Sequence, residues 1–390
     1  MEKSIDSGTN IKLGNSMNRR KFLKVMGASV FIPMVAKDVK DHGAVGDGVI
    51  DDAAAIQAMI DNSALGDEIY LSPGTYLVTG LRLLKGRAYR GAHYQNTIIK
   101  LADNANPDAV LASDSYMQNW QYCAAPIQIS NLYIDGNKEN NSTGHGLLLT
   151  NWNASVDKVW VMDVAGDGIR FSDTTANGEM ITNSMVENRI TQCRVFQPDG
   201  YGIYINDTGG NITDGYLTDN IVSYAGKSGI RFDDTSGWAI VGNHSHRSGW
   251  NGIDLRRCRG TRIIGNYIDH YGKSPMPEKR SGLRVSVQSG RGAVISSNSI
   301  GLLEREITEN STYNHLEILA EAGIDAQAIC GLNEIRGANI KDETGLVLWT
   351  QSGGTLAITL GDNHISNCDN LIWTGEGVTI NDSIAVRTPT

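Results

Sequence analysis

One short string recurs along the chain: GHGLLLTN (144–151), GDGIRFSD (166–173), GYGIYIND (200–207), KSGIRFDD (227–234), WNGIDLRR (250–257) and RSGLRVSV (280–287). The third residue is always Gly and the fourth is Ile or Leu; successive copies begin 22, 34, 27, 23 and 30 residues apart. A second string interleaves with it, in Thr218-Asp219-Asn220-Ile221, Val241-Gly242-Asn243-His244, Ile264-Gly265-Asn266-Tyr267, Ser297-Asn298-Ser299-Ile300 and Asp362-Asn363-His364-Ile365. Each unit therefore holds short alternating strands broken by Gly or Asn. A unit of about 22 residues cannot bury its own apolar face, so units must stack. Short period-two strands separated by turns form one coil of a parallel β-helix. The recurring Gly marks a place where a side chain would clash or φ must be positive. A recurring Asn can hydrogen-bond its counterpart one coil away, as amide ladders do in cross-β stacks. The Leu-x-x-Leu-x-Leu signature of leucine-rich repeats is absent, and a propeller blade needs about 40 residues. The expected fold is all-β, a right-handed parallel β-helix.

Composition agrees. The 390 residues contain 44 Gly but only 8 Pro, about 11% Gly against a usual share of about 7%, which means many tight turns and argues against a helix bundle. A formal charge of −9 lacks the basic footprint of nucleic-acid binding, so no nucleic-acid partner is expected. No apolar run reaches the roughly 18–20 residues that span a bilayer, and stable membrane insertion is not expected. Five scattered cysteines without CxxC spacing suggest buried thiols rather than a disulfide framework or zinc site.

Residues 1–36 read as an export signal. Asn18-Arg19-Arg20-Lys21-Phe22-Leu23-Lys24 precedes a weakly apolar stretch ending in Met34-Val35-Ala36, the layout of a twin-arginine signal. A periplasmic or secreted location follows. Residues 37–390 are expected to form one β-helix domain, with 37–66 as an N-terminal cap region in which Asp51-Asp52 opens a helix over Ala53 to Asp61. Strand, turn and strand are expected over Ile69 to Val78. Loops are expected to project at Gly272–Lys279 and Leu303–Glu317.

With the Gly of each repeat as zero, the residues at plus one and plus three are apolar and point inward, because side chains alternate along a strand. The plus-two residues then face outward: Leu148, Arg170, Tyr204, Arg231, Asp254 and Arg284. So do the plus-four residues Thr150, Ser172, Asn206, Asp233, Arg256 and Ser286. His145, Asp167, Tyr201 and Asn251 immediately precede the glycines, and Lys227, Trp250 and Arg280 lie one residue further back. Coils about 4.8 Å apart put same-column side chains in contact range. Arginine forks suit carboxylates, while Tyr201, Tyr204, Trp238 and Trp250 are candidates to stack on sugars. Arg256, Arg284, His145 and Lys227 complete the expected binding set, and an acidic polysaccharide is the expected partner. Arg231 beside Asp254 and Asp233 beside Arg256 also fit plain cross-coil ion pairs on a solvated face.

The segments Asp38-Val39-Lys40-Asp41-His42-Gly43-Ala44-Val45-Gly46-Asp47-Gly48, Asp51-Asp52-Ala53-Ala54-Ala55-Ile56-Gln57 and Ser72-Pro73-Gly74-Thr75-Tyr76 resemble the opening of the pectate lyase superfamily. That group includes rhamnogalacturonase-like and alginate C5-epimerase-like domains and phage tailspike depolymerases. Thr97-Ile98-Ile99-Lys100 and Leu132-Tyr133-Ile134-Asp135-Gly136-Asn137 extend the likeness, which covers roughly residues 38–300. It implies an extracytoplasmic protein acting on long polysaccharides. The Tyr-Gly-Phe-Asp-Pro-His string of epimerase-like relatives is not reproduced: the aligned coil reads Asp167-Gly168-Ile169-Arg170-Phe171-Ser172, and the next, Tyr201-Gly202-Ile203-Tyr204-Ile205-Asn206, matches the Tyr but not the Asp or the His. The Asp, Asp-Asp and Gly-His-Gly order of polygalacturonase-like relatives is not kept either, since Gly144-His145-Gly146 comes first here.

Three functions remain open. In a lyase, Arg170 and Arg231 neutralise a uronate carboxylate, Tyr204, its pKa lowered by both, takes the C5 proton, and Tyr201 or Asp167 serves the leaving oxygen. In an inverting hydrolase, Asp233 and Asp254, roughly 8 Å apart by strand and coil spacing, act through a water, with Asp167 as substitute. A non-catalytic glycan-binding or adhesin surface is the third. The lyase is placed first. No cofactor is required and no metal-ligand set is assigned; calcium is a candidate ion, although no EF-hand string is present.

Overall fold

The computed structural model describes residues 36–274, 280–302 and 312–383. The expected export signal thus lies outside the described residues except for Ala36. The strands form three long sheets in which every neighbour is the equivalent strand of the next coil. The first has thirteen strands from Ala36–Asp38 to Val378–Ser383; the second has twelve, from Asp47–Asp51 to His364–Ser366; the third has twelve and carries the glycine strings. Pairing within these sheets is parallel throughout, as in Ile169 with Ile203 and Ile203 with Ile230. The fold is a right-handed parallel β-helix.

The core is a set of apolar columns running along the stack. Val156, Ile190, Leu217, Ile240 and Ile263 come from the first sheet, Val161, Val195, Val222 and Ile268 from the second, and Leu147, Ile169, Ile203, Ile230, Ile253 and Leu283 from the third; all are buried. One polar column runs with them. Asn220, Asn243, Asn266, Asn298 and Asn333 each donate Nδ2 to the Oδ1 of the next Asn at 2.9–3.0 Å, ending at Asn363. Each also donates to a backbone carbonyl, so the buried amides are satisfied.

The recurring Gly is required by contact and not by φ. A Cβ on Gly168 would lie 2.6 Å from Gly202 O and 2.3 Å from Val195 Cγ1, and Gly202 meets Gly229 O in the same way. Positive φ falls instead on the residues before the ladder asparagines, such as Asp219 and Gly242.

A helix, Ala53–Asp61, buries Ile56, Met59 and Ile60 at the start of the stack. Asp51 accepts from Ala53 N at 2.8 Å, while Asp52 turns back to hold Val45 N and Gly46 N. Glu68–Leu71 and Gly74–Val78 are the expected strand pair. Most of the two expected projecting loops lies outside the described residues. Tyr313–Glu317, however, belongs to the strand Tyr313–Ala320, because Leu316 and Ile318 resume the inward period and pair with Leu283 and Val285.

Candidate functional site

The third sheet carries the outward column in the expected register. Leu148, Arg170, Tyr204, Arg231, Asp254 and Arg284 are successive pairing partners, and the column runs on through Glu317, Val347 and Trp373. The plus-four residues differ from expectation. Thr150, Ser172, Asn206 and Ser286 are buried, because later segments fold over them: Thr174 reaches Ser172 Oγ at 2.9 Å and Ser286 donates to Glu321 at 2.6 Å.

The middle of the column is an ion-pair ladder and not a cationic stripe. Arg231 is only 7% exposed and Asp254 3%. The Arg231 guanidinium binds Asp233 Oδ1 through Nε and Nη2 at 3.0 and 2.7 Å and Asp254 through Nη1. Arg284 lies 3.5 Å from Asp254 and 3.6 Å from Glu317. Arg231 is therefore not available to a substrate carboxylate. The pairing between Asp233 and Arg256 does not form; Arg256 has no side-chain partner among the described residues and its Nε is buried. Asp233 and Asp254 are both tied to the one Arg231 guanidinium, so neither carboxylate is free in the way the hydrolytic reading expected.

Tyr204 is corrected too. Its hydroxyl donates to Asp233 Oδ2 and contacts Asn206 Oδ1 at 3.0 Å. Burial, then the Asp233 hydrogen bond, pushes its pKa far up and not down. A phenol held in this way is a poor base. Trp238 is fully buried, donates Nε1–H to Ile212 O at 3.1 Å and packs on Phe232, so it is no sugar platform.

One end of the column keeps open chemistry. Arg170 Nη1 lies 3.2 Å from Asp167 Oδ2 and 3.3 Å from His145 Nε2, and its guanidinium stacks 5.0 Å from the Tyr204 ring. His145 Nδ1 lies 2.8 Å from Asp167 N and 3.3 Å from Asp167 Oδ2. The Asp167 amide donates to Nδ1, so the neutral ring of this arrangement carries its proton on Nε2. The other tautomer, with Nδ1–H toward Asp167 Oδ2 and the Nε2 lone pair beside Arg170, requires that amide bond to be given up. Burial pulls the His145 pKa below its usual value; Asp167 opposes this and Arg170 reinforces it, so the ring is neutral at pH 7.

Tyr201 is pinned by its backbone N–H to Asp167 Oδ1 at 2.8 Å. Its ring lies 4.6 Å from Tyr204 and edge-on to Trp250 at 6.0 Å. Lys227 Nζ stands over both the Tyr201 and Trp250 rings, at 5.1 and 5.5 Å. Burial raises the Tyr201 pKa, with Arg231 pulling the other way. His145, Asp167, Arg170, Tyr201, Lys227 and Trp250 thus form one half-buried cluster across adjacent coils.

At the other end the column opens into a cleft of about 750 Å³ lined by Arg284, Glu317, Trp349, Gln351 and Trp373. Trp349 donates Nε1–H to Glu317 at 2.8 Å. Arg284 belongs to the expected binding set, whereas the sequence reading missed Glu317, Trp349, Gln351 and Trp373. The signal for Trp349 and Gln351 is Gly345-Leu346 within Thr344–Thr350, a further copy of the Gly-Ile/Leu step.

The family model for rhamnogalacturonase A/epimerase, pectate lyase-like proteins matches residues 36–254, and the chain belongs to this family. Mannuronan C5-epimerase AlgE5 of Azotobacter vinelandii is 38% identical over 242 residues, 59% of this chain and 21% of that protein. The chain thus spans about a fifth of that relative's length. The pre-neck appendage protein of Bacillus phage phi29 is 23% identical over 90% of this chain and 44% of its own. Among solved structures, the A-module of mannuronan C-5 epimerase AlgE4 from A. vinelandii superposes with a TM-score of 0.55 at 21% identity, covering 88% of this chain and all of that one. That likeness concerns the fold.

Proposed function

We propose that this chain acts on a uronate-containing polysaccharide by removing the C5 proton of a bound uronate, the step shared by β-elimination and C5 epimerisation. The observation that carries this reading is the His145–Asp167–Arg170 cluster, a neutral imidazole beside an accessible guanidinium on the next coil. Arg170 faces the uronate carboxylate and offsets the charge that builds on it as C5 loses its proton. His145 takes that proton at Nε2 once the ring gives up the Asp167 amide that now donates to Nδ1 and turns an Nδ1–H to Asp167 Oδ2 instead. In elimination the C5–H electron pair forms the C4–C5 double bond, the C4–O4 bond breaks, and the Tyr201 hydroxyl protonates O4. In epimerisation the same hydroxyl returns a proton to the opposite face of C5.

Lys227 and Trp250 hold a neighbouring sugar, and the Trp349–Trp373 cleft a more distant one. The identity to mannuronan C5-epimerases favours C5 chemistry over hydrolysis. Export through the Asn18–Lys24 signal is part of the proposal; its test is whether changing Arg19 and Arg20 to Lys abolishes the periplasmic or culture-fluid fraction, and an unchanged fraction would refute it.

The deciding experiment incubates the protein with polymannuronate, polyguluronate, polygalacturonate and a neutral glucan in D₂O. Unsaturated ends, or deuterium at C5 without cleavage, are expected on a polyuronate only. New reducing ends without unsaturation, or cleavage of the glucan, would refute the reading.

A further inference from the structure

A second cluster of chemistry-bearing side chains lies on a different face, on the outer side of the second sheet. His244 and His246 sit two apart on the strand His244–His246, so both rings project from the same face. The next coil supplies Asp269, paired in register with His246. His244 Nε2 lies 3.0 Å and His246 Nδ1 2.9 Å from one and the same carboxylate oxygen, Asp269 Oδ1. The three ligand atoms lie within 4.8 Å of one another, and all three residues are part-exposed. A third imidazole stands close by, with His270 Nε2 3.5 Å from Asp269 Oδ2 and its ring 5.5 Å from that of His246. The His244 ring is backed by Tyr267 at 4.6 Å and the His246 ring by Tyr224 at 5.6 Å, which limits their rotation.

We propose that His244, His246 and Asp269 form a binding site for a divalent transition-metal ion, linking two coils of the second sheet. Two imidazole nitrogens and a carboxylate are a donor set suited to zinc, nickel or copper and not to calcium or magnesium, which take oxygen ligands. Nitrogens about 2.0–2.1 Å from zinc, with a carboxylate oxygen at similar range, need the ring nitrogens to move by about an ångström from their present contacts. Small tilts of the rings within their aromatic backing supply that. Three protein donors leave a fourth position for water or another ligand. The other constellation of suitable donors among the described residues, His315, Glu343 and Cys368, is a poor competitor. His315 and Glu343 are 0% exposed; Glu343 accepts from Ala338 N and His315 is hydrogen-bonded to Tyr271.

The test is calorimetric titration of zinc chloride into the untagged, chelator-treated full chain, with magnesium and calcium chlorides in parallel. One zinc per chain is expected, with affinity reduced at least about tenfold in H246Q and again in H244Q/H246Q. The groove variant H145Q is expected to bind zinc as the parent does. Circular dichroism of each variant separates loss of the site from loss of the fold, and D269N provides a second variant of the same site. Absence of zinc binding up to about 1 mM, zinc binding that survives H244Q/H246Q, or equally strong calcium binding would overturn the proposal.

Discussion

Replacing Asn266 by Ala tests the stacking on which every site rests. Asn266 Oδ1 accepts from Asn243 N and Asn243 Nδ2, both at 3.0 Å, and its Nδ2 donates to Ile240 O at 3.0 Å and to Asn298 Oδ1 at 2.9 Å. Truncation removes four hydrogen bonds at a residue 1% exposed. Three of the four groups left behind keep another partner. Asn243 Nδ2 still reaches Leu217 O, and Asn298 Oδ1 still accepts from Asn266 N. Ile240 O lies mid-strand and keeps its place in the backbone ladder to the next coil, which leaves the Asn243 amide as the group without a substitute. At about 1–3 kcal/mol for a buried group left unsatisfied, and with a small cavity added, the expected destabilisation is about 2–4 kcal/mol. Urea unfolding of N266A against the parent, at unchanged m-value, measures it. Hydrogen exchange supplies a local readout, in which the Asn243 amide loses protection while amides several coils away keep theirs. A loss below about 1 kcal/mol, or unchanged exchange at Asn243, would show that the ladder is incidental to the stack.

Four further outcomes bear on the site. H145Q is expected to lower turnover of a polyuronate by about 10²–10⁴ with an unchanged melting temperature; retained turnover removes His145 as the base. Because burial and Arg170 depress the His145 pKa and Asp167 raises it, the acid limb of activity should lie below 6.5, and D167N should move it to lower pH; a pH–rate profile shifted upward would contradict this. Y204F should lower stability by about 1.5–3 kcal/mol, the usual worth of a hydrogen bond to a charged group, with a smaller effect on turnover than H145Q; a larger effect would restore Tyr204 as the base. R231M strips part-exposed Asp233 and buried Asp254 of their shared partner and should destabilise by about 3–5 kcal/mol, with recovery on adding D233N and D254N; an R231M protein as stable as the parent would mean the pair is solvated.

Much of this was legible in the residues alone, and for a definite reason. A solenoid repeats the same local problem in each coil, so Gly168, Gly202 and Gly252, or Asn220, Asn243 and Asn266, mark equivalent places along the chain. The inward period of Ile169 and Phe171 then places Arg170, Tyr204, Arg231 and Asp254 on one column without any coordinates. What repeats do not encode is which of two neighbours a side chain binds. Arg231 lies within reach of Asp233 on its own strand and Asp254 on the next, and it takes both. That choice, with the burial around it, turned an expected cationic groove into an ion-paired ladder and aimed the Tyr204 hydroxyl proton at Asp233. It also left His145, Asp167 and Arg170 as the open cluster. Strand order follows from periodicity, which is a property of the chain; charge state and partner choice follow from desolvation and geometry between coils, which exist only once the coils are stacked.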